Sequence, residues 1–241
     1  MKSHSADAAG PVPALLTGLD LLVIEAKGAV LHVRLNRPAK RNAVSDALVA
    51  QLHTCFVNLP DATRAVVLSG AGDHFCAGLD LAEVSERSVA EGIVHSRSWH
   101  AAFQEVQFGR VPVVAVLHGA VVGGGGSARI PRLIGAARMT DMMLTGRVYD
   151  ATEGLAIGVS QYVVGAGEGL AKAMALAERI AVNAPLSNFA VMHALPRIAD
   201  MAQDEGLFVE SLMAAIASGD EAAKTRVRAF LEGRAAKVQK T

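Results

Sequence analysis

His74-Phe75-Cys76-Ala77-Gly78-Leu79-Asp80-Leu81 and His118-Gly119-Ala120-Val121-Val122-Gly123-Gly124-Gly125-Gly126 are two glycine-centred turns. Each follows an apolar run with the composition of a buried strand, residues 65–69 before the first and 111–117 before the second. Glycine at a strand end lets the backbone approach a ligand closely and present its N–H groups. Two such amides converging on one oxygen form an oxyanion hole, which suits chemistry that builds charge on a carbonyl oxygen.

Outward from these turns, residues 21–25 and 29–35 are β-branched runs separated by Lys27-Gly28, a hairpin-like turn. A polar loop, Asn36-Arg37-Pro38-Ala39-Lys40-Arg41-Asn42, follows. Ser45 is placed to cap a helix in which Leu48, Val49, Leu52 and Phe56 share one face. Residues 88–108 have helical periodicity. The alternation of strands and helices predicts parallel pairing with right-handed crossovers. After Gly126 helical patterns take over, at 139–144, 152–157, 169–182, 186–199, 205–217 and 220–231, and only 161–164 reads as a strand. The expected division is a flexible lead or small docking arm at 1–18, an α/β core at 19–182 and a helical C-terminal region at 183–241.

The 241 residues suffice for one sizeable domain with a helical extension. Hydrophobic residues make up 51% but aromatics only 4%, so the core is to be built from Ala, Val, Leu, Ile and Met. Lys plus Arg and Asp plus Glu balance at 23 each, which argues against general nucleic-acid binding. No apolar run approaches a membrane span, and the expected setting is the cytoplasm. Cys55 and Cys76 lack any metal-ligand spacing, so no metal is expected; they fit a reducing compartment, with a single disulfide left open. The glycine run is not a P-loop, because no Gly-Lys-Ser/Thr ends it, and it lacks the G-x-G-x-x-G dinucleotide pattern with its acidic partner.

Several motifs in order resemble the crotonase, or enoyl-coenzyme A hydratase/isomerase, superfamily: the opening hairpin with Leu35-Asn36-Arg37-Pro38 and Asn42-Ala43-Val44, the turn Phe75-Cys76-Ala77-Gly78-Leu79-Asp80-Leu81, Val113-Val114-Ala115-Val116 through Gly125, then Arg129-Ile130-Pro131-Arg132-Leu133-Ile134-Gly135 and Leu144-Thr145-Gly146-Arg147. The resemblance implies a crotonase spiral of β-β-α units stacked as two sheets, with the C-terminal helices mediating trimers or dimers of trimers. It implies an acyl-coenzyme A thioester as substrate and no cofactor beyond that coenzyme A. It assigns the oxyanion donors to the amides of Leu79 and Gly124, and the coenzyme A path to Lys40, Arg41, Ala77, Gly78, Asp80 and Leu81. The acyl pocket is to draw on residues 84–99 and on a segment after the glycine run that this sequence lacks.

One departure is large. The family's hydratases carry a Glu two positions after the glycine triplet and a second Glu further on. Here Gly126-Ser127-Ala128-Arg129 leads straight into the segment expected after a later glycine turn, as if two turns were fused near 123–127. Either the sequence lacks a stretch that the natural protein carries, or the stretch is genuinely absent. Clean removal would uncover core against a total stability of only about 5–15 kcal/mol, which favours the former. No catalytic Glu can be named, and no neighbour inherits the role by position. The reading is therefore an enoyl-coenzyme A hydratase or isomerase, with thioester hydrolysis, C–C cleavage or acyl-coenzyme A binding without turnover as alternatives.

Other titratable residues have plainer readings. Asp80 suits an N-cap, with Glu83 completing a capping box. His74 and His118 are expected as satisfied loop histidines, and Cys76 as a small buried residue. Asp141, near a capping position after Thr140, together with Tyr149 and Glu153, lies in the helical half. Lys224, Arg226, Arg228, Arg234, Lys237 and Lys240 form a basic stretch that reads as a solvated face, or as a phosphate contact by resemblance.

Overall fold

A computed structural model describes residues 16–122 and 126–234. Strands β1 (Leu22–Lys27) and β2 (Val30–Leu35) form an antiparallel hairpin, with Leu22 opposite Leu35 and Lys27 opposite Val30. Its turn is Gly28-Ala29, and Gly28 adopts φ +57°, a region glycine enters without steric cost. Helix α1 (Asp46–Val57) then leads to β3 (Ala65–Gly70), which lies parallel to β2. The short β4 (Cys76–Ala77), helix α2 (Val89–Phe108), β5 (Val113–Ala115) and β6 (Val121–Val122) follow. One sheet has the order β1-β2-β3-β5; the second pairs β4 with β6 in parallel.

β3 is buried through Ala65, Val66, Val67, Leu68 and Ser69, as expected of a parallel strand covered on both faces. Its alternation divides the core. Val66 and Leu68 join Leu31, Val33 and Leu35 against Leu48, Leu52, Cys55 and Phe56. Ala65 and Val67 join Val30 on the other face, against Ala173 and Ala177 of a later helix. The alanines let that helix lie close to the sheet. Ser45 caps α1 by accepting from Leu48 N–H at 3.1 Å, and Ser88 with Glu91 forms a capping box at the start of α2.

The helical half comprises α3 (Gly126–Arg129), α4 (Pro131–Ile134), α5 (Ala136–Thr145), α6 (Ala151–Ile157), α7 (Gly169–Ala181), α8 (Pro185–His193), α9 (Leu195–Ala199), α10 (Gln203–Gly219) and α11 (Glu221–Leu231). α7 is the helix that covers the sheet. α8, α9 and α11 bury no residue, and α10 buries only Gly206.

Several expectations need correction. Leu16, in the stretch read as a flexible lead or small docking arm, is 4% exposed and packs into the main core, so it docks and is no flexible lead; residues 1–15 of that stretch lie outside the described residues. Residues 161–164 form no strand, for their β-branched pair finds no neighbouring strand to complete a ladder. The helix expected at 186–199 is two helices, with Pro196, which lacks the N–H a helix interior needs, in the first turn of α9. Asp141 lies within α5, not at its cap.

Candidate functional site

The pairing of β4 with β6 brings the two glycine turns together: Cys76 faces Val121 and Ala77 faces Val122. Phe75 N–H donates to His118 O at 2.8 Å and Cys76 N–H to Ala120 O at 3.0 Å. Both flanking histidines are fasteners. His74 Nδ1 accepts from Ala120 N–H at 3.0 Å, and His118 Nε2 lies 3.0 Å from Gly72 O. Gly119 sits at φ +55°, where a Cβ would fall 2.1 Å from Asp73 O. Gly78 sits at φ +92°, where a Cβ would fall 2.8 Å from Val122 Cγ1. The chain entering the second glycine run is thus laid directly against the first turn. Gly124 itself lies outside the described residues.

A third segment straps the first turn from the other side. Asn42, fully buried at φ +53°, accepts from Arg37 N–H through Oδ1 at 2.9 Å and donates through Nδ2 to Ala71 O and His74 O. Ala77 N–H donates to Arg41 O at 3.0 Å. Val44 forms a parallel bridge with Leu79, in which Val44 N–H reaches Gly78 O and Asp80 N–H reaches Val44 O. A parallel bridge uses the groups on either side of the bridged residue, so the Leu79 N–H points away from Val44. It has no hydrogen-bond partner among the described residues.

Asp80 is buried, and its carboxylate is committed within the fold. It takes Arg37 Nη2 at 2.8 Å and Ala82 N–H at 3.2 Å. The Arg37 hydrogen bond holds this carboxyl below the usual carboxylate range. The capping role is therefore realised, but Glu83 does not complete a box with it. Glu83 Oε2 instead accepts from Asp46 N–H at 2.8 Å, at the start of α1. Gly78 is buried, Ala77 half-buried and Leu81 exposed. Lys40 and Arg41 are exposed beside the turn, and neither side chain makes a hydrogen bond or ion pair among the described residues.

Leu79 also lines a cavity of about 180 Å³, with Asp46, Glu83, Val84, Arg87, His95 and Trp99. Asp46 Oδ1 meets both His95 Nε2 and Trp99 Nε1 at 2.6 Å, and Arg87 Nη2 lies 3.7 Å from Oδ2. Partial burial pushes the Asp46 carboxyl upward, but the hydrogen bonds from Trp99 and His95 outweigh it and hold the group below its usual range. His95 and Trp99 are one helical turn apart on α2, with ring centroids 5.3 Å apart. Sequence reasoning expected residues 84–99 to shape an acyl pocket but singled out neither His95 nor Asp46. The i, i+4 pairing of His95 and Trp99 was the available signal; nothing in the sequence ties either to Asp46.

Most of the remaining candidates have partners within the chain. Asp141 and Glu153 both pair with Arg147, at 3.7 and 3.5 Å, and Arg147 lies 4.5 Å over the Tyr149 ring. Glu153 also forms a capping box with Asp150. Cys55 and Cys76 are free and buried; burial pushes the Cys55 thiol up to about 12 and raises that of Cys76. Lys224 and Arg228 pair with Glu221, Arg226 contacts Asn183, and Arg234 pairs with Glu232, while Lys237 and Lys240 lie outside the described residues. Among the described residues no cluster of His, Cys, Asp and Glu is arranged to hold a metal, and no helix is long and apolar enough to cross a membrane.

The chain matches the family model described as enoyl-CoA hydratase/isomerase in two segments, residues 25–127 and 124–240, which overlap at 124–127, at the end of the glycine run. A crystal structure from Rhodopseudomonas palustris CGA009, of a protein provisionally named enoyl-CoA hydratase, superposes with a TM-score of 0.85 at 48% identity, covering 90% of this chain and 96% of that one. A Thermus thermophilus protein, also provisionally named enoyl-CoA hydratase, is 32% identical over 86% of this chain and 96% of its own. Enoyl-CoA hydratase EchA19 of Mycobacterium tuberculosis is 29% identical, covering 92% of this chain and 97% of its own. That alignment runs over 261 positions, more than this chain's 241 residues, so it opens gaps in this chain.

Proposed function

Since the chain belongs to the enoyl-CoA hydratase/isomerase family, we propose that it binds acyl-coenzyme A thioesters and hydrates or isomerises their enoyl forms. The observation that carries this reading is the Leu79 N–H, unpartnered among the described residues, on a residue that lines a cavity. A thioester oxygen set against that amide gains a donor as charge builds on it, worth about 3 kcal/mol in a water-poor site. Gly124 is the matching donor from the second turn. Lys40 and Arg41, exposed and free of ion pairs among the described residues, suit the phosphates of coenzyme A. The coenzyme A of the substrate is the only cofactor this chemistry needs, and its setting is the cytoplasm. Exposed Leu207, Phe208, Leu212 and Ile216 on α10 support assembly into a homotrimer or a pair of trimers.

Incubation of the purified chain with crotonyl-coenzyme A and longer enoyl thioesters tests the reading. Loss of enoyl absorbance, or migration of the double bond, is expected; inertness toward every chain length sinks it. The absence of the family's Glu pair favours a second reading: another reaction on the same platform, thioester hydrolysis or C–C cleavage, or binding without turnover. Thiol release from saturated acyl thioesters identifies hydrolysis. Binding with no product at all identifies a non-catalytic role.

A further inference from the structure

The cavity beside Leu79 holds a histidine–carboxylate pair that no feature of the sequence announced. Asp46 is the first residue of α1, held there by the Ser45 cap and by the bond from its own N–H to Glu83. His95 reaches it from α2, 49 positions along the chain, at 2.6 Å. The bond uses Nε2. A carboxylate accepts, so Nε2 carries the proton and Nδ1 is left with its lone pair. Nδ1 has no hydrogen-bond partner among the described residues, and the His95 side chain is 27% exposed, enough to meet a ligand without leaving the wall. The cavity, at about 180 Å³, is smaller than the ~300–1,000 Å³ of sites that enclose drug-sized ligands. It therefore suits the acyl end of a thioester and not the nucleotide.

We infer that His95, oriented by Asp46, is the base that removes the α-proton of the thioester whose oxygen is held by the Leu79 amide. This rests on the acyl-coenzyme A reading above and names a base among the residues of this sequence, which carries no Glu two positions after the glycine run. In the step, the Nδ1 lone pair takes the α-proton and the C–H electron pair becomes the C=C bond of the enolate. The carbonyl π pair moves onto the oxygen facing Leu79 N–H. Return of a proton from the imidazolium to the α-carbon regenerates both partners, so the cycle consumes nothing. Asp46 is a positioning residue: it fixes the tautomer and stabilises the imidazolium. The other charged groups on the cavity are Arg87, beside Asp46, and Glu83, one of whose oxygens is committed to the Asp46 amide.

The test is exchange of the α-protons of butyryl-coenzyme A in D₂O, followed by mass spectrometry, with its affinity measured in parallel by calorimetry. Butyryl-coenzyme A cannot be hydrated or isomerised, so exchange reports proton removal alone. The wild-type chain is expected to exchange. His95→Gln is expected to lose about 10²–10⁴-fold of that rate, far more than any loss of affinity. His95→Ala is expected to recover exchange on adding free imidazole, a rescue that a purely structural role would not allow. Asp46→Asn is expected to slow exchange, because an amide at this position can present its NH₂ to Nε2 and favour the wrong tautomer. Full exchange by His95→Gln, or loss in Glu83→Gln in its place, overturns the assignment while leaving the acyl-coenzyme A reading standing. Wild-type binding without exchange does the same. Failure of the wild-type chain to bind any acyl-coenzyme A overturns both.

Discussion

His74 Nδ1 and the Ala120 amide are 3.0 Å apart, so one imidazole fastens the first glycine turn to the strand that enters the second. His74→Ala removes the acceptor and leaves a half-buried N–H without a partner, a loss of about 1–2 kcal/mol. Urea unfolding is expected to report that loss, with a parallel fall in acyl-coenzyme A affinity. His74→Asn, whose Oδ1 can replace Nδ1 as acceptor, is expected to recover part of both.

Asn42 provides a sharper contrast. Its amide spans three backbone groups, Arg37 N–H, Ala71 O and His74 O, from a left-handed conformation that Asn tolerates better than Ala. Asn42→Ala is expected to cost about 2–4 kcal/mol. Asn42→Asp keeps the shape but turns a carboxylate oxygen toward two carbonyls, and is expected to destabilise at least as much. Thermal melts of the two variants compare them directly.

His32 links stability to pH. It is buried, with Ser69 Oγ 2.8 Å from Nε2, and burial lowers its pKa despite the weaker opposing pull of Glu25. The unfolded chain therefore binds the proton more readily than the folded one. The neutral ring's contribution is complete above the unfolded value of about 6.5 and falls away as pH drops from there through the depressed folded value. Denaturant titrations at pH 7.5 and 5.5 are expected to show lower stability at the acid value. His32→Gln is expected to flatten that part of the difference.

The thiols supply a direct check on burial. With Cys55 pushed up to about 12 and Cys76 also raised, neither is a thiolate at neutral pH. A disulfide reagent is expected to label neither cysteine in the native chain within minutes and both in denaturant. Rapid native labelling of Cys76 would reopen its exclusion as a nucleophile.

α10 exposes Leu207 at 54%, Phe208 at 66%, Leu212 at 49% and Ile216 at 51%, the apolar surface on which the proposed assembly rests. Phe208→Glu with Leu212→Glu is expected to reduce the mass seen by light scattering to that of a single chain.

Periodicity made the α/β half legible because each of its signals has a local cause. A β-branched run became β2, a continuous apolar run became β3, Ser45 and Ser88 became caps, and Gly78 and Gly119 became turns that a Cβ would obstruct. Where a local signal needed a distant partner, the sequence was silent or misleading. Tyr162, Val163 and Val164 have strand composition but no strand beside them. Glu83 has capping-box spacing from Asp80, yet its carboxylate reaches the start of α1. The resemblance could point to the Leu79 amide as a proposed donor because its motif is contiguous. The Asp46–His95 pair could not, because only the packing of α1 against α2 makes these two residues neighbours.

The bridge between Val44 and Leu79 separates two jobs at one position. The donor belongs to the main chain and is indifferent to which side chain the residue carries, while the side chain is free to shape the chamber wall. On the proposed acyl-coenzyme A reading, exchanging residue 79 would lengthen, shorten or branch the acceptable acyl tail without disturbing the electrophilic clamp. Only proline, which has no amide hydrogen, would remove the clamp at the same stroke.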